Sequence, residues 1–378
     1  MKTKNHFIEL LRFVFCMVIV FHHSGFLAAT QERNFPFKSA GFFAVEFFFI
    51  LTGALAMKHI REANGRENLK SSDSNEEAKT NKNTNLLAEA PMKYSLVYTI
   101  NKLKRVFPYA MCGIILSYIW YFISCDSGLG FKDKLLGGLN IVYELLFIPM
   151  TGVMKVGLES FMNAPLWYLS VILIALPLIL YMAIRFKDSF DNYISIIVPL
   201  LLHAYLINLY GSIGNWGTYT TVAYSGVIRG LADLMLGCLA YNLSVKIAES
   251  NKISRAILTL FEIVMYAFSI YTFTTNVDGY VYEFAILILV VAIAISLSAK
   301  SMTANLKGYV FSHLGAISLP IYCLHWPVYR FITLYCPNID YVTGVIVVIA
   351  VCVALSEILM ILLKGFAALK IKENVNKQ

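Results

Sequence analysis

The chemistry-bearing residues stand where side chains of their kind are rare, inside long apolar runs. Arg12, His22, His23, Glu46, Arg229, Asp233, Glu262, His325 and Glu357 all interrupt such stretches. A charge deep in a bilayer costs about 2.5–3.5 kcal/mol on insertion scales, so each needs a partner, a wet cavity or a function. Arg12 and His23 are eleven residues apart. On one helix that is almost three turns, so both face one way, about 16 Å apart along the axis. His22 is turned about 100° from His23. The next apolar run returns antiparallel, which brings Glu46 to much the same depth as His23. A histidine and a carboxylate on adjacent helices can form a base and its orienting acceptor, or a pair that only fixes packing. Lys102 and Arg105 share a helix face before the third run, and two such cations can hold phosphates. Basic residues also flank most cytoplasmic helix ends, so alone this signal is weak.

The elements that position these residues follow from composition. Of 378 residues, 58% are hydrophobic and 14% charged; soluble domains carry about a quarter charged residues. We expect an all-α, polytopic transmembrane helix bundle of about ten spans, near 7–28, 40–57, 106–123, 166–184, 192–210, 226–243, 256–275, 281–299, 314–335 and 341–363. An even number puts both termini on one side. That side holds 23 Lys and Arg against 5 on the other, which predicts cytoplasmic termini in a plasma (inner) membrane protein. The net charge of +8 is thereby a topology signal and not a nucleic-acid footprint.

The whole chain, 1–378, reads as one domain. Residues 58–105 form a cytoplasmic loop whose polar stretch at 61–92 is expected to be disordered, and 124–165 an outer loop with a helix lying at the interface. Five of the seven cysteines (Cys16, Cys112, Cys238, Cys323 and Cys352) fall in apolar runs as small buried groups. Cys125 and Cys336 end spans on the outer side and can pair there. No Cys/His spacing suggests a metal. Arg229 and Asp233 are four apart and read as a mutually neutralising pair.

These pieces form an order that resembles the acyltransferase-3 family of integral membrane acyltransferases. IELLRFVFCMVIVFHH is similar to its first-helix pattern, with Arg12 and His23 in place. AVEFFFILTGAL resembles its acidic, Phe-rich second motif, met by Glu46, Phe48, Phe49 and Gly53. KLKRVFP resembles its Arg-x-x-Arg-x-x-Pro; Arg105 and Pro108 match, and Lys102 stands for the first Arg, which keeps a cation but loses a bidentate fork. PLWYLSVIL, with Trp167, and YCLHWPV, with His325, are similar to later and less specific segments. The resemblance implies transfer of an acyl group, usually acetyl, from cytoplasmic acyl-CoA to a hydroxyl of a carbohydrate, a cell-surface glycan or a lipid-linked sugar. It implies His23 as base or acyl carrier, Glu46 as its orienting residue, and Arg12, Lys102 and Arg105 as ligands of the CoA phosphates, with no metal. Trp167, His325 and Arg330 are candidates for the acceptor side. The rival is a secondary transporter of a small polar solute, which would show repeated halves; no such repeat is visible in the sequence.

Overall fold

The computed structural model describes residues 5–29, 41–70, 87, 89–124, 131–153, 161–250, 252–275 and 279–375. Apolar chain in a bilayer must satisfy every backbone group internally, and helices do so. The described residues are accordingly mostly helical, with one isolated bridge between Tyr219 and Tyr224 and no strand. The helices are α1 His6–His23, α2 Gly25–Ala29, α3 Ala44–Lys70, α4 Pro91–Ser124, α5 Phe131–Leu145, α6 Trp167–Ser189, α7 Ser195–Tyr210, α8 Ser225–Glu249, α9 Arg255–Thr274, α10 Gly279–Ser298, α11 Tyr309–Tyr335 and α12 Tyr341–Val375. A long helix stands over each of the ten expected spans. Seven segments of the described residues are long and apolar enough to cross a membrane, and one of these, Ala164–Tyr210, contains both α6 and α7. α3, which carries Glu46 and Lys58, and α11, which carries Tyr322, His325 and Arg330, fall outside that set.

One loop expectation changes. α3 continues to Lys70, into the stretch at 61–92 expected to be disordered, and α4 begins at Pro91, inside the expected loop 58–105; residues 71–86 lie outside the described residues. Helix propagates cheaply once a span has nucleated it, which is why polar residues after Met57 stay helical. α5 is the helix expected in the outer loop. Its exposed Leu135, Leu136, Leu139 and Val142 form an apolar stripe of the kind that lies on a lipid interface. Cys125 lies outside the described residues, so its pairing with the exposed Cys336 is not described.

Packing is set by small residues. α3 makes its most extensive contact with α8, α1 with α11, and α4 with both α6 and α11. A Cβ on Gly53 would lie 2.0 Å from the Leu234 carbonyl oxygen, and one on Gly237 2.2 Å from that of Ile50. The two backbones therefore meet directly, as small residues allow in membrane helices. α11 contains Pro320 and Pro327. Pro327 has no N–H for the Cys323 carbonyl, one turn back. The side chain of Asn163 donates to that freed oxygen instead, at 3.0 Å. Asn163 and Met162 are in turn held through their backbone N–H groups by Glu144 of α5, at 3.2 and 2.6 Å. The connection between α5 and α6 is thereby clipped onto α11.

Candidate active site

α1 is capped by Asn5, whose side chain accepts from the N–H groups of Phe7 and Ile8, and runs unbroken to His23. Arg12 and His23 are thus on one helix, as their spacing requires. Each borders a different cavity.

The first cavity has a volume of about 430 Å³. Arg12, Lys58 and Lys102 bring three cations to it. Arg12 also bonds Glu9 at 3.0 Å, one turn back on α1. Its remaining walls are largely apolar and include Phe48, Leu51, Val106 and Ile172. Arg105 is on the exposed flank of α4 and not among the lining residues, although its charge and that of Arg12 both act on Lys102. Of the predicted phosphate ligands, Arg12 and Lys102 therefore meet at one cavity and Arg105 stands beside it. Lys58 was not singled out from the sequence, because it is one of ten cations in a polar stretch and only its position on α3 distinguishes it.

The second cavity measures about 460 Å³ and is bordered by His22, His23, Trp167, Trp216, Arg229 and Trp326, among others. Nδ1 of His23 is 2.9 Å from Nε2 of His325 on α11. Nδ1 of His325 is 2.7 Å from the Tyr322 carbonyl oxygen. A carbonyl can only accept, so Nδ1 of His325 carries its proton. With both rings neutral, Nε2 of His325 is then an acceptor, and Nδ1–H of His23 donates to it. The consequence is specific: the lone pair of His23 is on Nε2, ready to accept a proton or attack a carbonyl carbon.

The pairing differs from the one expected: His23 bonds the side chain of His325, and Glu46 that of Arg229. Glu46 is fully buried and forms an ion pair with the equally buried Arg229 of α8, which also donates to the Gly214 carbonyl at 3.2 Å. α3 turns the Glu46 side chain toward α8, its main neighbour. The link from Glu46 to the cavity passes through Arg229, which borders it and lies 5.7 Å over the Trp167 ring. Arg229 and Asp233 are also not simply each other's counter-ion, since Asp233 sits 3.4 Å from His203, whose other nitrogen is 2.9 Å from Glu283. His22 borders the second cavity as well, edge-on to His23 at 5.0 Å, so the angular argument does not remove it from the site. What separates the two is the His325 bond.

Trp167 stacks on Trp216 with centroids 5.6 Å apart, forming an aromatic wall of the second cavity. His325, expected on the acceptor side, is bonded to His23. Arg330 lies over the rings of Phe26, Trp120 and Trp326 at 4.9, 4.5 and 5.3 Å and does not line either cavity. Two other intramembrane acids are accounted for: Glu262 accepts from Ser296 and Thr303, and Glu357 from His313. Among the described residues no three His, Cys, Asp or Glu side chains gather as a metal site would require.

A helical fold, two cavities addressed by one helix, and a histidine with a directed lone pair form an arrangement that can carry out group transfer. Residues 5–361 match the acyltransferase-3 family, described as an acyltransferase domain, and the chain belongs to that family. It is a membrane acyltransferase. No curated protein and no solved structure matches the chain.

Proposed function

We propose that the protein transfers an acyl group, in the first instance acetyl, from cytoplasmic acyl-CoA to a hydroxyl of a carbohydrate or cell-surface glycan, at the inner membrane and with both termini in the cytoplasm. The observation that carries this reading is the hydrogen-bonded sequence from the Tyr322 carbonyl through His325 to His23, which leaves Nε2 of His23 as a base on a cavity wall.

The acyl-CoA is a substrate whose chemistry suits the first cavity. Its phosphates are matched by Arg12, Lys58 and Lys102, and its thin pantetheine arm by the apolar walls beyond them. Arg105 adds attraction at the mouth. Nε2 of His23 takes the proton of the acceptor hydroxyl as that oxygen attacks the thioester carbonyl carbon. The carbon–sulfur bond then breaks, and the leaving thiolate takes the proton back from the imidazolium. Arg229, held in place by Glu46, gives the second cavity a cation to set against the charge that develops on the carbonyl oxygen. The paired Trp167 and Trp216 rings offer a flat apolar surface for a sugar face.

The test is release of CoA from labelled acetyl-CoA by purified protein in detergent, compared between wild type and His23→Ala at equal protein level. Release that depends on His23 supports the reading. Solute counterflow without CoA release would support a transporter instead and refute it.

A further inference from the structure

The two cavities are back to back, and two residues line both: Val45 and Tyr322. Val45 is a small side chain near the start of α3. Tyr322 is the larger of the two, buried, and fixed at its far end, where its hydroxyl donates to the Pro165 carbonyl in the turn before α6. Its ring is within 6.3 Å of both Phe48 and Tyr168, which border the first cavity, and within 5.9 Å of the His325 ring behind the second. The phenol therefore stands between the cavity with the cations and the cavity with the base. Only its side chain does so; its main-chain carbonyl separately anchors His325.

We propose that the Tyr322 side chain is the gate between the two cavities, and that with Val45 it limits the acyl groups reaching His23 to short ones. This rests on the donor entering through the Arg12 cavity. A thioester held by its phosphates at one end can meet Nε2 of His23 only by passing this ring. The bond to Pro165 holds the gate shut when no thioester is present, which also keeps the two cavities separated.

Two measurements on the full-length protein judge it separately. In the first, Ala164→Cys places a thiol on the second cavity, which Ala164 lines. The protein is sealed into liposomes, and a small cationic methanethiosulfonate is offered from one side or the other, with modification at position 164 read by peptide mass spectrometry. With Tyr322 intact, position 164 should be labelled from the side of the second cavity only; with Tyr322→Ala it should be labelled from both. Labelling from one side in both cases overturns the gate, whether or not the protein turns over acetyl-CoA. In the second, kcat/KM for CoA release is compared between acetyl-CoA and octanoyl-CoA. Tyr322→Ala should raise the octanoyl-to-acetyl ratio by at least about tenfold, the scale on which one pocket wall discriminates between chain lengths. Tyr322→Phe lacks only the bond to Pro165; it should keep the ratio and raise kcat severalfold at constant KM. An unchanged ratio in Tyr322→Ala overturns the size filter. If Tyr322→Ala does not fold, Val45→Ala widens the same passage and must shift the ratio the same way. Absence of any His23-dependent release from acetyl-CoA would count against the proposed function, while the labelling result would still decide the gate.

Discussion

Two histidines in this protein have opposite surroundings. His23 is bonded to another imidazole, itself anchored on a neutral carbonyl. His203 on α7 lies between two carboxylates, Asp233 at 3.4 Å and Glu283 at 2.9 Å. Both ring nitrogens of His203 face acidic oxygens, and neither is left for a substrate. In His23 one nitrogen is committed, and the residue borders a cavity. The residue type is the same, although His203 is fully buried and His23 only partly; the charge of the partner decides which histidine is a cross-link and which is a reagent.

The comparison breaks most sharply at His23. His23→Ala should lower turnover by roughly 10²–10⁴-fold, the range for a lost general base, while acyl-CoA affinity and expression stay near wild type. His22→Ala should lower it far less. Turnover and acyl-CoA binding of the two variants at equal protein level check this; an inactive His22→Ala beside an active His23→Ala would move the base by one residue.

On the cross-link side the effect is on folding. Arg229→Met leaves the buried Glu46 without its counter-charge, and breaking such a pair costs about 3–5 kcal/mol. We expect a clear fall in thermal midpoint in detergent, largely restored in the Glu46→Gln, Arg229→Met double variant. A double variant no more stable than Arg229→Met would show that the ion pair does not act as a unit.

Glu46 also shows what the sequence could and could not disclose. The spans were legible because hydropathy is local, and so was the Arg12–His23 register, which is a property of one helix. The partner of His23 was not, because equal depth does not say which helices touch. A signal for His325 did exist. It lies sixteen residues into α11 and His23 seventeen into α1, two helices that run the same way and so bring both rings to one level. The presence of Lys58 in the cation cavity, and of Tyr322 in both cavities, depends on how α3, α4 and α11 surround α1, and no local pattern encodes that.

Glu144 sharpens the contrast from outside the candidate spans. Burial pushes its carboxyl up to about 7, against the N–H groups of Met162 and Asn163 and the Tyr118 hydroxyl, which favour the anion. A raised acid binds its proton more tightly in the folded state, so its contribution is fully present below the ordinary value of about 4.5 and is lost as pH rises through about 7. The span of that shift corresponds to about 3 kcal/mol. The thermal midpoint should therefore fall between pH 4.5 and 7.5 in wild type and much less in Glu144→Gln; equal slopes would remove Glu144 as the cause.

The smallest effect separates neighbours on α4. Lys102→Ala should weaken acyl-CoA binding more than Arg105→Ala, since Lys102 borders the cavity and Arg105 is on the exposed flank. An exposed charge is screened and contributes at most about 1 kcal/mol, a loss of roughly fivefold in affinity. Titration of both variants with acetyl-CoA at low and at physiological ionic strength measures the difference; the larger loss in Arg105→Ala would place the phosphates outside the cavity.

The glycine seam between α3 and α8 bears on how such an enzyme moves. Where Gly53 meets the Leu234 carbonyl and Gly237 that of Ile50, no side chain intervenes whose rotamer could change to let one helix slide on the other. α3 and α8 are therefore joined as a single rigid body, and Val45 and the Glu46–Arg229 pair ride on it. Tyr322 belongs to α11, whose two prolines each interrupt the ladder of backbone bonds and lower its resistance to bending. Widening the passage between the cavities is then a hinge motion of one bent helix against a fixed block, and amide exchange in α11 should outpace that in α3 and α8.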